Sequence, residues 1–88
     1  MRQAALRELE KKRRRVSELE RLIEAAEAEL ALLREKLRDP PSNDWEQLHE
    51  WAKKERTLAQ GVEQMMSEWT KLSAELEKLG STAEEAQG

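Results

Sequence analysis

"LRDPPSNDW", residues 37–45, interrupts a chain otherwise written for helix. Pro40 and Pro41 lack the N–H that continues a helix, and Pro40 steers Asp39 away from helical angles. A new start follows at once. Asn43 with Glu46, or Asp44 with Gln47, has capping-box spacing, with Asn or Asp in place of Ser or Thr. The break spans about five residues, and connections that short place neighbouring helices antiparallel. Whatever lies on either side must therefore fold back on itself.

Both flanks carry a heptad pattern. Before the break, Leu9, Val16, Ile23, Leu30 and Leu37 fall at a, and Lys12, Leu19, Ala26 and Leu33 at d. After it, Leu48, Glu55, Val62, Trp69 and Leu76 fall at a, and Trp51, Leu58, Met65, Leu72 and Leu79 at d. Apolar residues at a and d, sustained over several heptads, are the mark of a coiled coil. The fold expected is all-α, an antiparallel two-helix coiled-coil hairpin over residues 1–80. Helix 1 covers about 4–38, the turn 39–43 and helix 2 about 44–79. Gly80 is the expected stop, and residues 81–88 form a polar, flexible tail. Opposed residue numbers sum either to about 81, centred on the prolines, or to about 88, centred on Asp44. The same stripes can also zip between chains, so a weak homodimer is an alternative.

Composition agrees with a narrow seam instead of a broad core. Charged residues make up 40 % of the 88 and aromatics 3 %, with no Cys, Phe or Tyr. A chain of that kind points to long helices or a coiled coil. Without cysteine there is no disulfide framework or thiolate metal site, which suits a reducing cytosol. No uncharged apolar stretch approaches the ~20 residues of a membrane helix, and the start lacks a signal-peptide core. A cytoplasmic location without membrane contact is expected.

Charge is uneven along the chain. Residues 1–38 hold 11 basic and 8 acidic side chains, whereas 39–88 hold 5 and 11. The extreme is the first fifteen residues, with 7 basic against 2 acidic. They include "KKRRR" at 11–15, where Lys11, Lys12, Arg13, Arg14 and Arg15 occupy c, d, e, f and g and wrap the whole helix. One account is a solvated face with helical partners such as Glu8–Lys12 and Glu10–Arg14. The other is a phosphate-contacting patch extended by Arg2 and Arg7. No aromatics interleave these cations, so stacking on single-stranded bases is not suggested, and docking would be on the phosphate backbone.

A family resemblance enters on "SELERLIEAAEAELALLREKLRDP" at 17–40, "SNDWEQLHEW" at 42–51 and "SEWTKLSAELEKL" at 67–79. This order resembles the C-terminal domain of ATP-binding-cassette F (ABC-F) proteins, the Uup type in particular. The resemblance covers roughly residues 8–80. The connector lacks the aromatic residue often found after the Asp-Pro, and Thr70 and Lys71 replace two acids after the tryptophan. It implies a parent that is a soluble cytoplasmic ATPase, with ATP and Mg bound in modules outside this chain. It also implies action on the translating ribosome or, in the Uup branch, DNA binding to which this domain contributes.

With the resemblance added, the candidate nucleic-acid-binding residues are Arg2, Arg7, Lys11, Lys12, Arg13, Arg14 and Arg15, docking on DNA or ribosomal RNA. Lys11, Arg14, Arg2 and Arg7 carry the reading. Lys12 is a seam position, where it snorkels outward or, in the 81 stagger, lies over Trp69 as a cation–π pair. Arg15 reaches Glu68 or Glu75, depending on stagger. The alternative function is a structural or protein-interaction coiled coil, packing on its own ATPase modules or dimerising.

Other features take plainer readings. Arg34, Lys36, Arg38, Lys53, Lys54 and Arg56 near the turn are interleaved with acids and read as a mixed surface. Trp51 and Trp69 read as packing residues, while Trp45 either seals the tip against Leu37 or stands exposed. Gly61, mid-helix, marks a soft point or a close contact. Glu55 and the single His49 make no metal or catalytic spacing, and no phosphate loop occurs. No enzyme activity and no cofactor are expected in this chain.

Overall fold

The computed structural model describes residues 2–40 and 43–87, the side chains of Arg2 and of 80–87 excepted. It contains α1 (Arg2–Arg38) and α2 (Trp45–Gln87), which pack against each other as a hairpin. The rod measures 65 × 19 × 14 Å. A helix of 37 residues rises about 55 Å at ~1.5 Å per residue, so the rod's length is essentially that of its helices.

The turn forms as its residues dictate. The last helical bond of α1 runs from Asp39 N to Glu35 O, 3.2 Å, after which Pro40 has no N–H to give. Of the two capping alternatives, Asp44 is the one used. Its Oδ1 accepts the Glu46 N–H at 3.1 Å and its carbonyl accepts the Leu48 N–H at 3.0 Å, the geometry of an N-cap. Glu46 adds an acid to the first turn, where it complements the helix dipole.

The core is the seam that the heptads describe. Leu19, Leu30, Leu33 and Val62 are buried, and most other a and d residues are half-buried. Fully burying a side chain of this size stabilises the hairpin by ~1.5–3 kcal/mol, offset by ordering entropy. With so few buried residues the fold is held by one line of contacts.

Cross-helix partners fix the stagger. Facing residue numbers add to 83 for Arg15 with Glu68 and for Glu29 with Lys54. They add to 87 for Lys12 with Glu75 and for Lys36 with Trp51. They add to 89 for Glu20 with Trp69 and for Arg34 with Glu55. The stagger is therefore the one centred near Asp44, and the 81 alternative is excluded. In that register Leu30 lies beside Ala59 and Val62, and Arg34 beside Glu55.

Two sequence expectations need correction. α2 does not stop at Gly80: it runs on to Gln87, and no described glycine has a positive φ. A glycine ends a helix only if it takes the left-handed conformation, and the Ala and Glu residues that follow favour continuing the helix. Nor is Trp69 simply packed. It is 37 % exposed, with its indole Nε1 donating to Glu20 Oε1 at 3.0 Å. The indole is wider than the seam's leucines and settles at the seam's edge, where its N–H finds a partner. Trp51 is half-buried as expected, with Lys36 Nζ 5.5 Å from its ring centroid. Trp45 is 83 % exposed, which decides between its two accounts.

Candidate nucleic-acid interface

The basic run lies on α1 at the end of the rod opposite the turn, beside residues 68–79 of α2. Because five consecutive residues circle a helix, α2 necessarily takes some of them. Lys12 Nζ lies 3.0 Å from Glu75 Oε2. Arg15 makes a two-pronged contact with Glu68: Nε donates to Oε2 at 2.6 Å and Nη2 to Oε1 at 3.1 Å. A third bond runs from Arg15 Nη1 to Glu18 Oε1 at 3.0 Å. These hydrogen bonds hold the Glu68 carboxyl below its ordinary range, and the same bonds raise Arg15 further above its own.

Lys12 and Arg15 are thus committed to the hairpin. Lys12 does not lie over Trp69, because in the observed stagger its neighbour is Glu75. The choice left open for Arg15 falls to Glu68. The remaining candidates are different. Arg7, Lys11, Arg13 and Arg14 are exposed, and among the described residues none has an acid within ion-pairing distance. Arg2 begins α1, but its side chain lies outside the described residues.

One residue escaped the sequence reading. Arg21 is exposed and has no ion pair among the described residues, and with Arg13, Arg14, Ser17 and Glu18 it lines a shallow depression of about 480 Å³. Its signal is spacing: Arg7, Arg14 and Arg21 share heptad position f. Seven residues rise about 10.5 Å, so the three form an outward row along α1 about 21 Å long. Attention to the contiguous run concealed the periodic one.

The second basic group, near the turn, behaves as a mixed surface. Arg34 Nε bonds Glu55 Oε1 at 3.1 Å, and Lys54 Nζ lies 3.3 Å from Glu29 Oε1. Glu55, the one acid in the seam, is matched by that arginine. Among the described residues no group of three or more His, Asp or Glu side chains is placed to hold a metal ion. No helix among them is long and apolar enough to cross a membrane.

Two long helices, an Asp-Pro break and a basic first helix with a leucine seam are the features that a family comparison must account for. Residues 5–74 match the ABC transporter C-terminal domain, a span that takes in both helices and the break. The chain belongs to that family. Curated proteins and solved structures gave no match. As an ABC transporter C-terminal domain, this hairpin is an ATPase-associated helical module.

Proposed function

We propose that this hairpin is the nucleic-acid-docking C-terminal domain of an ABC-F ATPase of the Uup type, acting in the cytoplasm. The observation that carries it is the set of exposed cations on the outer half of α1, from its start to its middle, without an ion pair among the described residues: Arg7, Lys11, Arg13, Arg14 and Arg21. Membership of the ABC transporter C-terminal domain family supports an ATPase as the protein to which such a rod would belong. The residue order that resembles the Uup type supports the finer assignment.

The mechanism is electrostatic. Cations without acidic partners are free to neutralise phosphates, each contact releasing condensed counterions. The row of Arg7, Arg14 and Arg21 sits on a helix stiffened by its partner, so its spacing is fixed before binding. Such contacts position a rod on a DNA or ribosomal RNA backbone and carry little sequence information. ATP hydrolysis in the parent's modules would move or release the arm.

Titration of the 88-residue chain with duplex DNA and with structured RNA at low salt tests this proposal. Lys11→Glu with Arg14→Glu is expected to weaken binding at least tenfold while leaving helix content and thermal midpoint unchanged. Unchanged affinity in that variant would assign the site elsewhere. No binding by the parent chain at low salt would leave a packing role on the ATPase modules.

A further inference from the structure

Beside the seam, on the side where Trp69 leans out, runs an open groove of about 410 Å³. Its floor is Ile23, Met66 and Trp69, and its rim is Glu20, Glu24 and Glu27. Met66 is 42 % exposed and Trp69 37 %, a large apolar area for a helix flank. No lysine or arginine lines it. Glu24 and Glu27 are exposed and make no ion pair among the described residues, so their charge faces an incoming group.

The groove thus has two demands, an apolar side chain for its floor and cations for its rim. The same chain meets both at the start of α1. Leu6 is 58 % exposed, and Arg13 lies seven residues on at the same heptad position, with Arg14 beside it. Within one molecule this segment cannot fold onto the groove, because residues 6–14 and the groove's wall of Glu20, Ile23, Glu24 and Glu27 are parts of one continuous helix. It can do so only from another copy. Groove-on-groove pairing is opposed by its like charges, three glutamates on each side. Groove-on-basic-end pairing matches opposite charges.

We infer that the groove is a self-association site, occupied by residues 6–14 of a second copy. Leu6 of the incoming helix would lie on Met66 and Trp69, with Arg13 and Arg14 against Glu24 and Glu27. The contact is weak and salt-sensitive, since its charges are surface charges. It uses some of the cations assigned to nucleic acid but does not depend on that assignment. Nucleic acid and a second copy compete for the basic end.

Sedimentation of the 88-residue chain over a wide concentration range, at about 0.05 M and about 1 M salt, is the first measurement. Reversible dimer at low salt, lost at high salt, is expected. Glu24→Lys with Glu27→Lys should raise the dissociation constant roughly tenfold, as should Arg13→Glu with Arg14→Glu. None of the four side chains has an ion pair among the described residues, so both variants should keep the parent's helix content. Mixing the acid-reversed and base-reversed copies should then restore association that neither shows alone. A monomer at every concentration and low salt would overturn the proposal. So would a dimer indifferent to both reversals, or a mixture that fails to associate. The groove variant also separates the two functions, because it should leave nucleic-acid affinity intact or increase it.

Discussion

Neighbouring arginines in this chain have separate fates, and a single residue's step around the helix decides which. Arg15 lies at g, within reach of α2, and clamps Glu68. Arg14 lies at f, on the exposed side away from α2. Arg15→Ala is therefore expected to lower the thermal midpoint and leave phosphate binding nearly unchanged, whereas Arg14→Ala should do the reverse. Paired melting and binding curves for the two variants check the exchange. Glu68 adds a pH dependence whose sign is fixed. Its folded carboxyl is held below the ordinary value of 4.5 by Arg15. Its contribution is thus complete above that value and is lost as pH falls through the lower, folded one. Thermal melts across the acid range should show the parent losing stability below the ordinary glutamate value. Glu68→Gln should flatten that part of the profile. The five cations were legible in the sequence, but their division was not, since it depends on where α2 lies beside α1. Lys12 could be flagged in advance, because a cation at d must leave the seam somehow.

At the scale of the element, α2 carries a weakness that nothing nearby requires. Gly61 lies mid-helix with helical backbone angles, and a Cβ built there would meet nothing within 4 Å. It is neither a close contact nor a place where the chain needs left-handed freedom. Replacing it with alanine removes the entropy cost of glycine without a clash. Gly61→Ala should stabilise the hairpin by about 0.5–1 kcal/mol, or roughly 4 °C in thermal midpoint. Calorimetry of the variant measures this directly, and a lower midpoint would mean that the open space at Gly61 is filled in solution. Both helices and their break were legible from the prolines and the heptads, because those signals are local. The stagger was not, since a seven-residue shift keeps every a facing a d and only the flanking pairs choose. The end of α2 was misjudged for a related reason. Gly80 permits a stop but does not impose one, and the residues after it favour helix.

In the whole molecule α1 carries an excess of positive charge and α2 an excess of negative charge, which the net charge of −3 conceals. Near the rod's open end, Glu68 and Glu75 of α2 face the basic turns of α1 and would blunt their field if left free. Arg15 and Lys12 neutralise those two acids. What remains is a row of exposed cations along α1, with Glu18 among them. Each cation that reaches a phosphate adds its own share to the salt dependence. For duplex DNA the logarithm of the binding constant falls by ~0.9 per neutralised phosphate for each unit of log salt. Full engagement of the five predicts a slope of about −4.5. Arg21→Gln and Arg7→Gln should each reduce its magnitude by about one if the row on α1 is used along its length. Arg15→Gln should leave the slope unchanged, because that guanidinium is already bound. A slope near −2 in the parent chain, indifferent to Arg21, would confine docking to the run at 11–15 and remove the row from the mechanism. Isothermal titrations at four or more salt concentrations distinguish these outcomes, and the measurement reads geometry. Only cations held on one face can reach one duplex together.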